Sequence, residues 1–181
     1  YTELSGKPFP STSPEAPGLT ANGRGYTNTG EINAADATSP SASGKCKAGA
    51  IGDSITASGG YIAQLNNLCG ANTFISHGIG GQGTGEMLAR FDRDIITNRY
   101  SDVIILGGVN DIASQRTVNT IKSNLAAMYA KAKAANLRVI AVTLTPWSSH
   151  GSWTQDFQAK TEEVNTWILS KPANVDVVID A

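Results

Sequence analysis

Ala48-Gly49-Ala50-Ile51-Gly52-Asp53-Ser54-Ile55-Thr56 decides the fold: an apolar strand over 48–51 runs directly into a turn and then into the first residues of a helix. Outward from it, the chain from Cys46 onward alternates short apolar runs with segments of helical period, the pattern of a parallel sheet joined by crossover helices. Four more strands are predicted, over 73–77, 102–106, 137–144 and 175–179. Between them Val118, Ile121, Leu125, Met128 and Ala132 recur at steps of three and four, and Phe157, Val164, Trp167 and Ile168 follow the same period. Met87, Leu88, Phe91 and Ile95 make a third stripe, while Ile62, Leu65 and Leu68 are expected to face inward on a shorter first crossover helix. These stripes mean core packing and nothing more. The handedness of crossovers then gives an α/β fold, a three-layer sandwich around a five-stranded parallel sheet of order 2-1-3-4-5. Ligands of such sheets bind beyond the carboxyl ends of the strands, which directs the search to the loops that follow them.

The 181 residues, 40% of them apolar, suffice for one globular core. Fourteen Lys and Arg against fifteen Asp and Glu leave a net charge of -1, too weak a field to hold nucleic acid or an anionic membrane surface. No apolar run reaches the ~18 residues of a membrane span. Charged residues make up 16%, with Gly, Ser, Thr and Asn in their place, a composition that suits a secreted or periplasmic protein. The chain opens with Tyr1 and has no basic-then-apolar leader, as expected where a signal peptide has been removed. Residues 1–45 stand apart. Pro8, Pro10, Pro14, Pro17 and Pro40 lie among Gly, Ser, Thr and Asn, and Leu4, Phe9, Leu19 and Ile32 are the only large aliphatic or Phe residues. This stretch reads as an extended arm unable to build a core, leaving residues 46–181 as the folded domain. Cys46 at the mouth of the first strand and Cys69 at the end of the helix returning beside it predict one disulfide, with two buried free thiols as the alternative. No metal and no cofactor is expected.

Three loops carry the chemistry. After the first strand, Gly52-Asp53-Ser54-Ile55-Thr56 puts a serine in a strand-to-helix turn, exposed at the sheet edge near the positive end of a helix. Helix capping by Asp53 or Ser54 explains the same residues equally well. After the second, Gly78-Ile79-Gly80-Gly81-Gln82-Gly83-Thr84 is so poor in side chains that its backbone N–H groups can approach a ligand, although a simple turn capped by Thr84 would also look this way. After the third, Gly107-Gly108-Val109-Asn110-Asp111 places a side-chain amide where it can aim at the same point, or merely starts a loop. Together on one sheet edge the three supply a nucleophile and oxyanion donors.

Through Gly52-Asp53-Ser54-Ile55-Thr56, the Gly81 loop and Gly108-Val109-Asn110-Asp111, in that order and each after a successive strand, the sequence resembles the SGNH (GDSL-type) hydrolases, a family of esterases and lipases with a flavodoxin-like sandwich. The similarity covers roughly residues 46–181. It implies that Ser54 is the nucleophile and that the N–H groups of Ser54 and Gly81 and the side-chain amide of Asn110 form the oxyanion hole. Attack on an ester moves negative charge onto oxygen, and donors prearranged there are worth several kcal/mol. Asp53 and Asp111 read as turn-forming carboxylates beside the working groups. The implied substrate is a small-molecule or carbohydrate ester.

One part of the family pattern is missing. An Asp-x-x-His block after the last strand completes the family's triad, whereas the histidines here are His77 and His150, with Phe74 and Trp147 three positions earlier. The sandwich also lacks its last helix within these residues. The expectation is that a C-terminal segment of the same precursor, beyond Ala181, carries the helix and the Asp-x-x-His block; the alternative is that His150 serves as base. His77 is expected to be a packed or hydrogen-bonded histidine. In the loop over 145–153, Trp147, His150 and Trp153 are candidates for substrate contact, with anchoring of a long loop as the alternative for the two indoles. Two other readings compete with a secreted serine esterase. One is a flavin- or phosphate-binding module, because Ser54-Ile55-Thr56-Ala57-Ser58-Gly59 also looks like a hydroxyl-rich phosphate loop. The other is a non-catalytic carbohydrate-binding relative of the hydrolases.

Overall fold

Alternate side chains of each strand go to opposite sides of a sheet, and in this chain both sides are apolar. Ile51, Val103, Ile105, Val139 and Ala141 point to one face, and Ala50, Ile104, Leu106 and Val142 to the other. The computed structural model describes residues 47–147, 151 and 153–181, all within the second of the two units into which the chain divides, Ser43–Ala181. The arm expected over 1–45, together with Cys46 and His150, lies outside the described residues.

Five parallel strands, β1 (Ala48–Gly52), β2 (Phe74–Gly78), β3 (Asp102–Leu106), β4 (Arg138–Val142) and β5 (Val177–Ile179), form one sheet in the order β2-β1-β3-β4-β5. This is the predicted order. β1 and β3, each with a strand on either side, are buried at every position. β4 is shorter than the run over 137–144 suggests. The backbone N–H and carbonyl of Leu144 bond the amide of Asn165 at 2.7 and 3.0 Å instead of a neighbouring strand.

One face carries α3 (Thr84–Phe91), α5 (Val118–Ala134) and α6 (Gln155–Leu169), with the short α4 (Val109–Ala113) at its edge. The stripes of these helices pack there: Met87, Phe91, Ile121, Leu125, Met128, Ala132, Val164 and Ile168 are all essentially inaccessible. α3 continues into a π-helical turn, Asp92–Ile96, closed by the Thr97 N–H on the Asp92 carbonyl at 3.0 Å, and Ile95 remains in the core.

The other face carries α1 (Ser54–Ala57) and α2 (Gly60–Cys69). Here Ile62 is buried and Leu65 half-buried, but Leu68, expected to face inward, is 83% exposed. The reason is geometric: Leu68 stands on the wall of an apolar groove of about 460 Å³, floored by Ile104, Leu106, Val142 and Ile179, that no described helix fills. Cys69, at the end of α2, is an exposed free thiol, which corrects the expected disulfide as far as this partner is concerned.

Candidate active site

The register of the sheet sets the site. Gly52 pairs with Gly78 on one side and with Leu106 on the other, so the three loops emerge side by side at the same level. The ends of β1 and β2 are glycines because α1 folds back onto them. A Cβ on Gly78 would fall 2.1 Å from the Ala57 backbone nitrogen. Ser54 opens α1, is exposed, and its Oγ forms no hydrogen bond with any described residue. Gly80 of the second loop lies against it, since a Cβ there would meet the Ser54 Cβ at 3.8 Å. Gly81 follows at φ +79°, a left-handed conformation that glycine adopts without a Cβ penalty.

Asp53 is fully buried and caps α1, accepting the Ile55 N–H on Oδ1 at 2.9 Å. Burial pushes its carboxyl above the ordinary value; the bonds from the backbone N–H groups of Ile55 and Asp53 oppose this, and the nearby Asp111 adds to it. Asn110 on α4 donates Nδ2 to the Gln82 carbonyl at 2.9 Å and approaches Asp53 Oδ2 at 3.4 Å. Its amide therefore touches both the turn that carries Ser54 and the loop that carries Gly81. Asp111, the next residue, binds the first residue of α3. The two aspartates are thus structural carboxylates that hold the three loops together.

Asp53 also weighs against the phosphate-loop reading. Its carboxylate occupies the Ile55 N–H at the start of a four-residue helix, where a phosphate would need that donor and would meet a like charge.

His77 is hydrogen-bonded, as expected: Nε2 pairs with the Tyr100 hydroxyl at 2.7 Å, and the two rings meet edge to face. Trp147 is 8% exposed, donates Nε1 to Thr161 Oγ1 at 3.0 Å and stacks on Phe157. That is the anchoring alternative, and it corrects the expectation of an indole open to a ligand. Trp153 is half-buried against the same core, with Nε1 3.4 Å from Gln158 Oε1. Arg90 and Gln82, which join the loops from beneath, have no signal in the sequence: an Arg in an amphipathic helix reads as a solvated charge, and only the fold puts it inside.

These features define an α/β sandwich with flavodoxin-like strand order whose candidate site lies at the carboxyl edge of the sheet, on the loops after β1, β2 and β3. The chain belongs to the GDSL-like lipase/acylhydrolase family, whose model its residues 50–180 match. No curated protein matches it. Among solved structures it is similar to a protein of the G-D-S-L family from Desulfitobacterium hafniense DCB-2, at 24% identity and a TM-score of 0.65 over 75% of this chain and 77% of that one. It is also similar to a GDSL-like lipase from Bacteroides thetaiotaomicron, at 22% identity and 0.61 over 75% and 68%. A third, a catalytic mutant of Axe2, an acetylxylan esterase from Geobacillus stearothermophilus, is 20% identical with a TM-score of 0.60 over 74% and 75%. At these identities the structures share the fold.

Proposed function

We propose that the protein is a secreted serine ester hydrolase in which Ser54 attacks the acyl carbonyl. The observation that carries this is the meeting of three loops around one exposed hydroxyl, with Gly80 against Ser54 and the Asn110 amide against both Asp53 and Gln82. A base takes the Ser54 proton as Oγ bonds to carbon, and the carbonyl oxygen becomes an oxyanion held by the N–H groups of Ser54 and Gly81 and by Asn110. The 3.4 Å approach of Asn110 to Asp53 is the longer of the two contacts of its amide nitrogen and the one an oxyanion would displace. Collapse expels the alcohol, which takes the proton from the base, and water then releases the acid by the reverse sequence.

The base is a histidine of an Asp-x-x-His block in a segment beyond Ala181. Two observations support this: His77 is committed to Tyr100, and the groove over Ile104, Leu106, Val142 and Ile179 has the apolar floor that a covering helix needs. His150 is the other candidate. The substrate class is an acylated carbohydrate or a lipid ester, and the acetylxylan esterase among the similar structures favours the acetyl ester of a polysaccharide.

A fluorophosphonate probe tests the nucleophile: it should label one serine, and Ser54→Ala should remove the label. Label on another serine overturns the assignment. Hydrolysis of p-nitrophenyl acetate by residues 1–181 and by a chain extended past Ala181, each with and without His150→Ala, tests the base. Full turnover by residues 1–181 that His150→Ala abolishes would make His150 the base.

A further inference from the structure

We propose that Arg90, acting through Gln82, is the positioning residue that sets the oxyanion loop against the Ser54 turn; the catalytic consequence rests on the esterase reading above. Arg90 lies on α3, on the core side of the sheet edge, and is 6% exposed. Its guanidinium uses every edge. Nη2 donates to the Gly52 carbonyl at 2.9 Å, two residues before Ser54. Nη1 donates to the His77 carbonyl at 2.7 Å and to Asp94 Oδ2 at 2.8 Å, and Nε donates to Gln82 Oε1 at 2.6 Å.

One planar cation thus joins the end of β1, the end of β2 and the residue that follows Gly81. Gln82 passes the constraint on. Its side chain is held by Arg90 while its own carbonyl accepts the Asn110 amide at 2.9 Å, so the same residue fixes the loop carrying one proposed donor and orients the other.

Packing alone does not call for this arrangement. Met87 and Phe91 fill the neighbouring positions of α3 with apolar groups, and an apolar residue at 90 would avoid the cost of desolvating a charge. What an apolar residue cannot do is bind two strand-end carbonyls and a loop amide in one plane; a lysine, as a point charge, cannot either. The charge itself is balanced by Asp94, whose carboxyl is held down to about 2 by the Arg93 guanidinium beside it, with Arg90 adding to the effect and burial opposing it. The site therefore commits a buried arginine, in a partly buried ion pair, to the relative placement of the loops.

The test compares Gln82→Met, which keeps the shape of the side chain but not the acceptor, with Arg90→Lys and the double variant, in the longest form of the chain that turns over p-nitrophenyl acetate. Gln82 is only partly buried, so Gln82→Met should fold even if Arg90→Lys does not. In Gln82→Met, deuterium uptake over residues 79–83 should rise beyond any rise over the rest of the domain, so that a general loss of stability from the unpaired Arg90 donor is separated from release of the loop. Its kcat should fall about tenfold to a hundredfold, the scale of a misplaced catalytic group, with KM within about twofold. The double variant should be no worse than the weaker single one, because both break the same link. Unchanged uptake over 79–83 overturns the clamp. Raised uptake with kcat unchanged, or a loss confined to KM, overturns its catalytic consequence. A wild-type protein whose hydrolysis survives Ser54→Ala would defeat the esterase reading instead, and the uptake measurement would still decide whether Arg90 holds the loop.

Discussion

Asp111 holds Thr84 by two bonds, the Thr84 N–H on Oδ2 at 2.7 Å and the Thr84 hydroxyl on Oδ1 at 2.8 Å. Both residues are buried, and Asn124 closes the group by donating to Thr84 Oγ1 at 3.0 Å. The carboxylate sits at the N-terminal end of α3, where the helix dipole favours it. A Cβ on Gly83 would come within 2.9 Å of Asp111 Oδ2, so the loop approaches the carboxylate as closely as a glycine permits.

Asp111→Ala should therefore destabilise the domain by about 3 kcal/mol, since it removes a charged acceptor and leaves two buried donors unpaired. Asp111→Asn should recover part of that loss, because the amide keeps one acceptor oxygen. Urea unfolding of the two variants checks the order; equal midpoints for wild type and Asp111→Ala would show that the pair contributes nothing.

Asn110→Ala should lower kcat by about 10²–10³-fold with KM little changed, the usual result of deleting one oxyanion donor. A KM effect at unchanged kcat would make Asn110 a substrate-binding residue. Stability should fall much less than for Asp111→Ala, because Asn110 is only partly buried.

How far these groups could be read from the sequence follows from how local their signals are. The sheet order was legible because each strand and each stripe repeats within one element: Val118, Ile121, Leu125, Met128 and Ala132 reach the core together or not at all. That Ser54, Gly81 and Asn110 lie at one edge was legible because loops that follow neighbouring strands must emerge together. Leu68 was misread, since periodicity shows which way a residue faces on its helix but not whether anything lies beyond it. Trp147 was likewise ambiguous, because an indole in a loop looks the same whether Phe157 and Thr161 receive it or a ligand does. Arg90 was invisible for a deeper reason. Two of its partners, the carbonyls of Gly52 and His77, belong to the backbone and leave no mark in residue type, and the Gln82 amide reads in sequence like any other polar group of a loop.

Cys69 should react with iodoacetamide in the native, unreduced protein, because its thiol is exposed and free. Mass mapping of the modified peptide checks this. Cys69 recovered unmodified, in a peptide linked to Cys46, would restore the disulfide.

His77 gives the domain a pH-dependent stability whose sign can be worked out. Burial pushes its pKa below the ordinary 6.5; Asp94 opposes this, and the cationic Arg90 and Arg93 add to it. In the unfolded chain the imidazole takes its proton near 6.5, whereas the folded protein takes it only at lower pH. Between those two values the unfolded state binds more protons, so stability rises with pH across that window. The contribution is complete above 6.5 and is lost as pH falls through the lowered folded value. Asp94, held to about 2 in the folded protein against an ordinary 3.8, is ionised in both states between pH 7.5 and 5 and does not mask the effect there. Denaturant unfolding of wild type and His77→Gln between pH 7.5 and 5 isolates the histidine, since the two proteins differ at that residue alone. The wild type should lose stability relative to His77→Gln as the pH falls, and the His77 ring protons should titrate in NMR with a midpoint below 6.5. Parallel stability curves would mean that folding leaves the His77 pKa where it is in the unfolded chain, and a midpoint above 6.5 would mean that the Tyr100 hydrogen bond favours the charged ring and that the sign is reversed.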